Sequence, residues 1–184
     1  MIAPADRTLR LRAAARALLV DEHDHLLLVR YEFPTARVWG LPGGGLDPGE
    51  DALAGLRREL REELGLREVA IGPHIWNRDH VFPMHTGHDG QRDQIFLTRV
   101  DRFDPVPDIG WDALRDEFVH ELRWWSLDQI GAATPRTTLD LDLDVDGGVA
   151  GSSRPTWFAP RRLAELARHV LTAGPPAEPI DTGV

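Results

Sequence analysis

The sequence contains no cysteine, no lysine and no long apolar run. Without cysteine, the chain cannot build a disulfide scaffold, a thiolate zinc site or a cysteine nucleophile. Because no apolar stretch reaches about 18 residues, we expect no membrane span and no membrane partner. Residues 1–10 lack the apolar core of a signal peptide. These absences together favour a cytoplasmic protein.

The charge of the chain limits its partners. The net charge is −9 at pH 7, and all 21 basic side chains are arginines. A protein that binds duplex nucleic acid would carry a basic patch, so we expect no nucleic-acid partner. Small anionic substrates remain compatible with this charge, because a bound metal ion supplies local positive charge. Any basic side chain that contacts a phosphate must be an arginine, which can bind it bidentately.

The chain is long enough for one domain with an ordinary core, since 42% of its 184 residues are hydrophobic. We divide it into an N-terminal arm (1–10), a single domain (11–172) and a flexible tail rich in proline and glycine (173–184). Residues 132–153 form an acidic insertion. Within it, the alternating run 139–146 predicts a strand with one acidic face. A calcium site there is the alternative, although its ligands lack the EF-hand spacing.

Hydrophobic patterning predicts an α/β fold with helices on both sides of a mixed sheet. The first two predicted strands, 11–20 and 26–31, form a hairpin around an acidic turn at 21–24. The remaining predicted strands are 38–41, 69–76, 79–82, 94–100 and 121–125, with a loop at 101–112. The predicted helices are 50–64, 126–130 and 161–171.

Residues 44–66 concentrate acidic side chains on one helix. Glu59, Glu62 and Glu63 share a face because their spacing is i, i+3 and i+4. Like charges at these spacings repel, so the grouping suggests that a cation is expected there. The alternative is a solvated acidic face with arginine partners. Clustered carboxylates without cysteine suit Mg²⁺ or Mn²⁺, and Mg²⁺ usually binds substrate phosphate oxygens as well.

The loop before this helix is rich in glycine. Gly43, Gly44 and Gly45 follow a predicted strand, in a place where positive φ angles or a close backbone approach are expected. The run 47–50 predicts a turn into the helix, and Gly65 predicts its end. Four leucines form the opposite, apolar stripe that would dock the helix on a sheet: Leu53, Leu56, Leu60 and Leu64.

The segment 44–66 resembles the Nudix box, G-x5-E-x7-R-E-U-x-E-E-x-G-U, in which U is a bulky aliphatic residue. Every specified position is matched, by Gly44, Glu50, Arg58, Glu59, Leu60, Glu62, Glu63, Gly65 and Leu66. The resemblance extends over roughly residues 11–131. It implies the Nudix fold, an α/β/α sandwich with a mixed β-sheet, and a MutT-like pyrophosphatase. Such an enzyme would use Mg²⁺, or Mn²⁺, to cleave a diphosphate linkage in a nucleoside diphosphate derivative, NDP-X + H₂O → NMP + P-X.

The resemblance implies a role for each acidic residue of the box. Glu62 and Glu63 would be the main metal ligands. Glu59 would be a further ligand or would orient the attacking water. The backbone carbonyl of Gly43 would complete the metal shell.

Supporting roles fall to residues around these ligands. Arg58 would hold the glutamates by ion pairing, and Glu50 would be mainly structural near the helix N-terminus. Family members often recruit another carboxylate from a loop before the late tryptophan-containing strand, as a metal ligand or general base. Glu117 and Glu121 are the candidates here, and Glu117 fits the predicted loop better. Both could instead be solvated.

Substrate contacts are expected near the glycine-rich loop. Arg30 and Arg37 are candidate phosphate contacts, although a solvated surface position is as compatible with the sequence. Trp39 could stack on a base or pack in the core. One of the four histidines between residues 74 and 88 could also contact the substrate, whereas a zinc site among them fits no standard spacing.

The substrate is left open by the sequence. Residues 81–84 include a proline, a weak likeness to the ADP-ribose subgroup, and nucleoside triphosphates or oxidised nucleotides are alternatives. A non-catalytic nucleotide-binding sensor with a Nudix fold is the alternative function. The intact box and the lack of a helix-turn-helix pattern in about the last 50 residues favour the hydrolase. A homodimer is a candidate assembly, because dimers are frequent in the family.

Overall fold

The computed structural model describes residues 9–33, 36–81, 87–134 and 156–183. Within them lie nine strands and four helices. The strands are β1 (Leu11–Val20), β2 (Leu26–Glu32), β3 (Arg37–Gly40), β4 (Gly43–Gly45), β5 (His74–Val81), β6 (Gly90–Arg99), β7 (Val119–Trp125), β8 (Thr156–Ala159) and β9 (Ile180–Asp181). The helices are α1 (Ala52–Leu64), α2 (Gly110–Asp116), α3 (Leu127–Ala133) and α4 (Leu163–Ala173).

Strand β1 organises the sheet. It pairs in parallel with β6 along its whole length, from Leu11 opposite Gly90 to Val20 opposite Arg99. It also pairs antiparallel with β4 and, at the hairpin, with β2. Outward from β2 lie β3 and the parallel β8, and β7 also pairs with β2. Beyond β6 lie the antiparallel β5 and the parallel β9. The sheet is mixed, as predicted.

The two faces of this sheet carry separate cores, because side chains alternate along a strand. On β1, Ala15, Ala17 and Leu19 pack in one cluster with the leucine stripe of α1. Leu18 and Val20 belong to the opposite cluster, which includes residues of α3 and α4. Helices therefore cover both faces, which confirms the predicted α/β/α sandwich.

Helix α1 begins and ends where local signals indicate. The Asp51 side chain caps the N-terminus by accepting hydrogen bonds from the backbone N–H groups of Leu53 and Ala54, both at 3.0 Å. Gly65 adopts a left-handed conformation with φ 69° and ends the helix. Leu56 and the following stripe residues are buried, whereas Leu53 in the first turn is 37% exposed. The stripe therefore contacts the sheet from Leu56 onward.

Several elements differ from the predicted ones. Strand β5 is continuous where two strands, 69–76 and 79–82, were expected, and residues 69–73 are outside it. Helix α2 occupies the end of the predicted loop 101–112 and continues to residue 116. The predicted tail 173–184 contains β9, which pairs with Trp76 and Asn77 of β5.

The predicted acidic insertion is described only at its start. Residues 132 and 133 end α3 and residue 134 follows it, while the 139–146 run lies outside the described residues. Most of the N-terminal arm also lies outside them. Among the helices that the structure describes, none has the length and apolar character needed to cross a membrane.

Candidate active site

The glycine-rich loop and helix α1 meet at a buried carboxylate. Strand β4 lies against β1, and Gly43 has a φ of 117°, in the region that favours glycine. A Cβ at Gly43 would collide with the backbone of Ala15, so no other residue fits this close approach. The Gly43 N–H donates a hydrogen bond to Glu63 Oε2 at 2.8 Å. Glu63 is only 3% exposed.

The environment of Glu63 favours its neutral form. Burial is the largest effect and raises the pKa of Glu63 to about 8. The hydrogen bond from Gly43 and the charge of Arg16 oppose this shift, whereas the nearby carboxylates of Glu59 and Glu117 add to it. At neutral pH, either a proton or a neighbouring cation is therefore needed to stabilise this carboxyl group.

Arg58 ties the other acidic residues of α1 to the loop. Its guanidinium donates to both oxygens of Glu50, at 3.1 and 2.9 Å, and lowers the pKa of Glu50 to about 2. The Nη1 atom binds Glu59 Oε1 at 2.7 Å and Glu62 Oε2 at 3.3 Å. Burial raises the pKa of Glu59, although Arg58 opposes that shift. A further bond joins Nη2 to the Gly45 carbonyl at 3.1 Å.

The donor atoms here suit a hard divalent cation, because they are carboxylate and carbonyl oxygens. A Cβ at Gly44 would overlap the Glu59 carboxylate, so the glycine lets that carboxylate lie against the loop. In the part of the chain that the structure describes, the three glutamates do not form a group of ligand atoms that all lie within 4.8 Å of one another. Arg58 holds Glu59 and Glu62, while Glu63 is held by the loop.

A second group of metal-ligating side chains lies at the β1–β2 turn. Asp21, His23 and His25 place ligand atoms within 4.8 Å of one another. Asp21 already accepts hydrogen bonds from the backbone N–H groups of His23 and His25, at 2.9 and 2.8 Å, and from Arg102 Nη1 at 2.8 Å. Its carboxylate is therefore occupied in fixing the turn.

A cavity of about 620 Å³ lies next to the glycine-rich loop, and Glu63 is not part of its lining. Arg16 connects the two, because its Nη1 donates to the Gly43 carbonyl at 2.9 Å while its Nε binds Asp93 at 3.1 Å. Apolar walls come from residues such as Phe33, Val38 and Ile95. Polar and charged side chains also line it: Arg16, Arg78, His80, Gln91, Asp93 and Glu117. We call this space the glutamate-side cavity.

The structure separates the two candidate late carboxylates. Glu117 ends α2 and lines the glutamate-side cavity, and its charge acts on Glu59 and Glu63. Glu121 does not line that cavity and instead accepts a hydrogen bond from Arg30 at 2.9 Å. The geometry brings Glu117, and not Glu121, to the box glutamates.

The three predicted substrate contacts lie elsewhere. Arg30, Arg37 and Trp39 line another cavity of about 440 Å³ together with Glu121, which we call the arginine-side cavity. Tyr31 and Val38, their neighbours along β2 and β3, line the glutamate-side cavity. Because successive side chains on a strand point to opposite faces, the two cavities are on opposite faces of these strands. The structure thus does not bring these three residues to the box glutamates.

Sequence reasoning missed four polar residues of the glutamate-side cavity: Arg16, Arg78, Gln91 and Asp93. One signal was available. Arg16 is a charged residue between Ala15 and Ala17 in the predicted strand 11–20. Buried charged residues are usually paired, so Arg16 indicated a partner elsewhere in the chain. Asp93, which is that partner and is 2% exposed, gave no such signal because its sequence neighbours are polar.

The sequence is similar to a family model and, over part of its length, to curated proteins. A family model described as NUDIX domain matches residues 10–143. The nucleoside triphosphatase NudI of Enterobacter sp. (strain 638) is 43% identical over 59 residues, which are 32% of this chain and 42% of that protein. NudI of Salmonella arizonae is 37% identical over 80 residues, 44% of this chain and 56% of that protein. The chain thus spans about half the length of the curated relatives it matches.

Similarity to solved structures covers more of the chain. The NUDIX domain of Shewanella oneidensis NrtR, solved in complex with ADP ribose, superposes with a TM-score of 0.58 at 19% identity. The match covers 92% of this chain and 94% of that domain. At this identity the likeness concerns the fold alone.

Proposed function

The chain belongs to the Nudix hydrolase family, and from this premise we propose that it is a Mg²⁺-dependent hydrolase of a nucleoside diphosphate derivative, NDP-X + H₂O → NMP + P-X. The observation that carries the proposal is the buried Glu63 carboxyl, bound to the Gly43 backbone beside a cavity of about 620 Å³. That volume lies in the range of small-molecule sites. The similarity to nucleoside triphosphatases over part of their length supports the same chemistry.

The chain's own residues would divide the work as follows. Glu59, Glu62 and Glu63, with the Gly43 carbonyl, would hold Mg²⁺ or Mn²⁺. When bound, the cation polarises the phosphoryl oxygens and acidifies the attacking water. Arg58 would fix the direction of Glu59 and Glu62 through the ion pairs at 2.7 and 3.3 Å.

We assign proton transfer to one of two carboxylates. Burial raises the pKa of Glu59, which favours proton uptake by its carboxylate. Glu117 lines the cavity and is the second candidate for this role. Arg16 would keep the Gly43 carbonyl in place through its 2.9 Å hydrogen bond. A homodimer and a cytoplasmic location stay predictions.

The first test is a hydrolysis screen with Mg²⁺ and Mn²⁺ that measures nucleoside monophosphate and phosphate release. It covers ADP-ribose, nucleotide sugars, dinucleoside polyphosphates, and unmodified and 8-oxo nucleoside triphosphates. We expect Glu62→Gln to lower kcat/KM by about 10³-fold or more, because it weakens the cation site. The matched control is Glu165→Gln on the exposed side of α4, which should retain wild-type rates.

One result would overturn the hydrolase. If wild-type protein cleaves no compound faster than Glu62→Gln, the catalytic proposal fails. Thermal shifts with the same compounds would then test the sensor, which must bind a nucleotide without cleaving it.

A second pair of variants tests the late carboxylate. Glu117→Gln should lower kcat by about 10-fold to 100-fold, because its carboxylate faces the cavity. Glu121→Gln, the same change at the residue paired with Arg30, should change kcat less than about threefold. The reverse order of effects would transfer the role to Glu121.

A further inference from the structure

Arg78 is a largely buried guanidinium whose donors are not used within the described residues. Its side chain is 13% exposed and lines the glutamate-side cavity. Its charged contact there is Asp93 Oδ2 at 3.6 Å, which is too long for a hydrogen bond. Burial is the largest effect on Arg78 and lowers its pKa. A buried guanidinium is stable only when acceptors meet its N–H groups, so the cavity should supply one.

Asp93, the charged contact of Arg78, is already bound by two other groups. Asp93 Oδ1 accepts from Gln91 Nε2 at 2.7 Å and from Arg16 Nε at 3.1 Å. Arg16 Nη1 in turn donates to Tyr31, to the Leu41 carbonyl and to the Gly43 carbonyl, at 3.3, 2.8 and 2.9 Å. Asp93 Oδ2 stays 3.6 Å from Arg78 Nη1, so the N–H groups of Arg78 can still donate hydrogen bonds to a ligand.

The charge of the cavity indicates what kind of ligand that is. The lining contains two guanidinium groups, Arg16 and Arg78, and two carboxylates, Asp93 and Glu117. His80 is neutral at neutral pH, because burial lowers its pKa to about 4. The formal charges therefore cancel, and a phosphate chain would add unmatched negative charge. An uncharged ring with hydrogen-bond acceptors fits better, with its phosphates on the Glu63 side.

The cavity also has a surface on which a planar ring can stack. Phe33 lines it and is 39% exposed. The Phe33 ring lies nearly parallel to Tyr31, with an interplanar angle of 10° and centroids 6.2 Å apart. Stacking on such a ring is available to every base, so it selects bases in general and not one base.

We propose that Arg78 reads the O6 and N7 acceptors of a 6-oxopurine, so that the enzyme selects guanine and hypoxanthine nucleotides over adenine nucleotides. A bidentate arginine matches those two adjacent acceptors, whereas adenine presents a donor at N6. This inference rests on the proposed function for the placement of the phosphates beside Glu63. It makes Arg78 a specificity-determining residue that contacts the substrate.

The test compares GTP, ITP and ATP, and the matched sugar pair GDP-glucose and ADP-glucose, with the metal that gives activity. ITP keeps O6 and N7 but lacks the 2-amino group, so it isolates the edge that Arg78 reads. We expect GTP and ITP to agree within about threefold in kcat/KM and to exceed ATP by about tenfold or more. The kcat/KM for GDP-glucose should likewise exceed that for ADP-glucose. If the wild-type enzyme has equal kcat/KM values for ATP and GTP, the inference is overturned.

Variants at Arg78 give the sharper comparison. Arg78→Gln should bring the GTP to ATP ratio to about one or below, mainly through KM, because a glutamine amide pairs with adenine N6 and N7. Arg78→Lys keeps the charge but loses the fork, so it should retain only part of the preference. The matched control is Arg92→Gln on β6, whose side chain is 62% exposed and paired with Asp79 outside the cavity. It should keep the wild-type ratio.

Binding of GMP and AMP without metal, measured by calorimetry, separates the two proposals and does not depend on turnover. If the protein hydrolyses a substrate but binds GMP and AMP with equal affinity, the role of Arg78 is refuted and the hydrolase proposal is unaffected. If the wild type binds GMP about tenfold more tightly than AMP, Arg78→Gln removes that difference, and no compound is cleaved, the role of Arg78 is supported and the hydrolase is refuted. A preference unchanged in Arg78→Gln would also overturn the inference.

Discussion

The glutamate-side and arginine-side cavities contain the same kinds of side chain but differ in how their charges are met. In the arginine-side cavity, Arg30 binds Glu121 and Glu32 at 2.9 and 3.1 Å, and Arg37 binds Glu32 at 3.1 Å. Next to the glutamate-side cavity, the Glu63 carboxyl is buried with a raised pKa, and in the cavity lining Arg78 makes a 3.6 Å ion pair with Asp93.

The difference shows which polar residues would gain free energy from binding a ligand. Carboxylates and guanidinium groups that already neutralise each other gain little from a further partner. Buried groups whose charge or hydrogen bonds are unmet gain much more, because burial has already removed their water. An arginine beside a tryptophan is therefore weaker evidence of a binding site than a buried, unmatched charge.

The largest expected effect in the arginine-side cavity is on stability. Trp39 is 4% exposed and packs edge to face on Trp125, with centroids 5.0 Å apart. Trp39→Ala should lower the free energy of unfolding by about 3–5 kcal/mol in denaturant titrations, because it leaves a cavity in the core. The kcat/KM of the folded protein should stay near wild type.

Trp111, which is 38% exposed on α2, offers the matched control. Trp111→Ala should cost less than about 1 kcal/mol. A tenfold rise in KM for Trp39→Ala at unchanged stability would break the comparison, because the base would then bind in the arginine-side cavity.

The next effect is a pH dependence of the free energy of unfolding, which we expect from Glu63. The folded-state pKa of Glu63 is about 8, above its usual value of 4.5, so folding favours the protonated carboxyl. Its contribution to metal-free stability is therefore complete below pH 4.5 and is lost as the pH rises through about 8. Each unit of pKa difference corresponds to about 1.4 kcal/mol, so the loss should amount to a few kcal/mol.

Urea titrations with a chelator at pH 5 and pH 8 measure this loss. Glu63→Gln should remove most of it, because the amide stays neutral and can still accept the Gly43 hydrogen bond. Added Mg²⁺ should stabilise the wild type more at pH 8 than at pH 5. If the wild type and Glu63→Gln lose the same free energy of unfolding between pH 5 and pH 8, Glu63 is not the titrating group.

The smallest expected effect belongs to Arg37. Its side chain is 39% exposed and paired with Glu32, so Arg37→Gln should cost less than about 1 kcal/mol of stability. KM should stay within about twofold of wild type, in contrast to Arg78→Gln. A KM raised tenfold would make Arg37 the phosphate contact first expected from the sequence.

Local signals explain why much of the fold could be predicted. The predicted helix 50–64 corresponds to α1 because its cap, its stripe and its terminal glycine all lie within the segment. The predicted strands 11–20 and 26–31 correspond to β1 and β2, which are apolar and bounded by a polar turn. By contrast, Asn77 and Arg78 interrupt the apolar pattern of β5, and the pattern therefore predicts two strands where one exists.

The substrate side of the site could not be predicted in the same way. Arg30, Arg37 and Trp39 are close to the glycine-rich loop in sequence, but strand alternation directs them to the other face. Arg16 and Asp93 are 77 residues apart and meet only because β1 pairs with β6. Strand register of this kind depends on distant partners and leaves little local trace.

The parallel pairing of β1 with β6 also has a consequence for the order in which the molecule is made. Strand β1 provides Arg16 and the backbone against which β4 lies, but its parallel partner begins only at Gly90. Long-range parallel contacts form slowly, because the entropy cost of closing a large loop comes before the contacts stabilise the chain. A nascent chain that has just passed residue 66 therefore contains the whole acidic motif without Asp93, the residue that anchors Arg16. The motif is synthesised early, and the site it belongs to is assembled late.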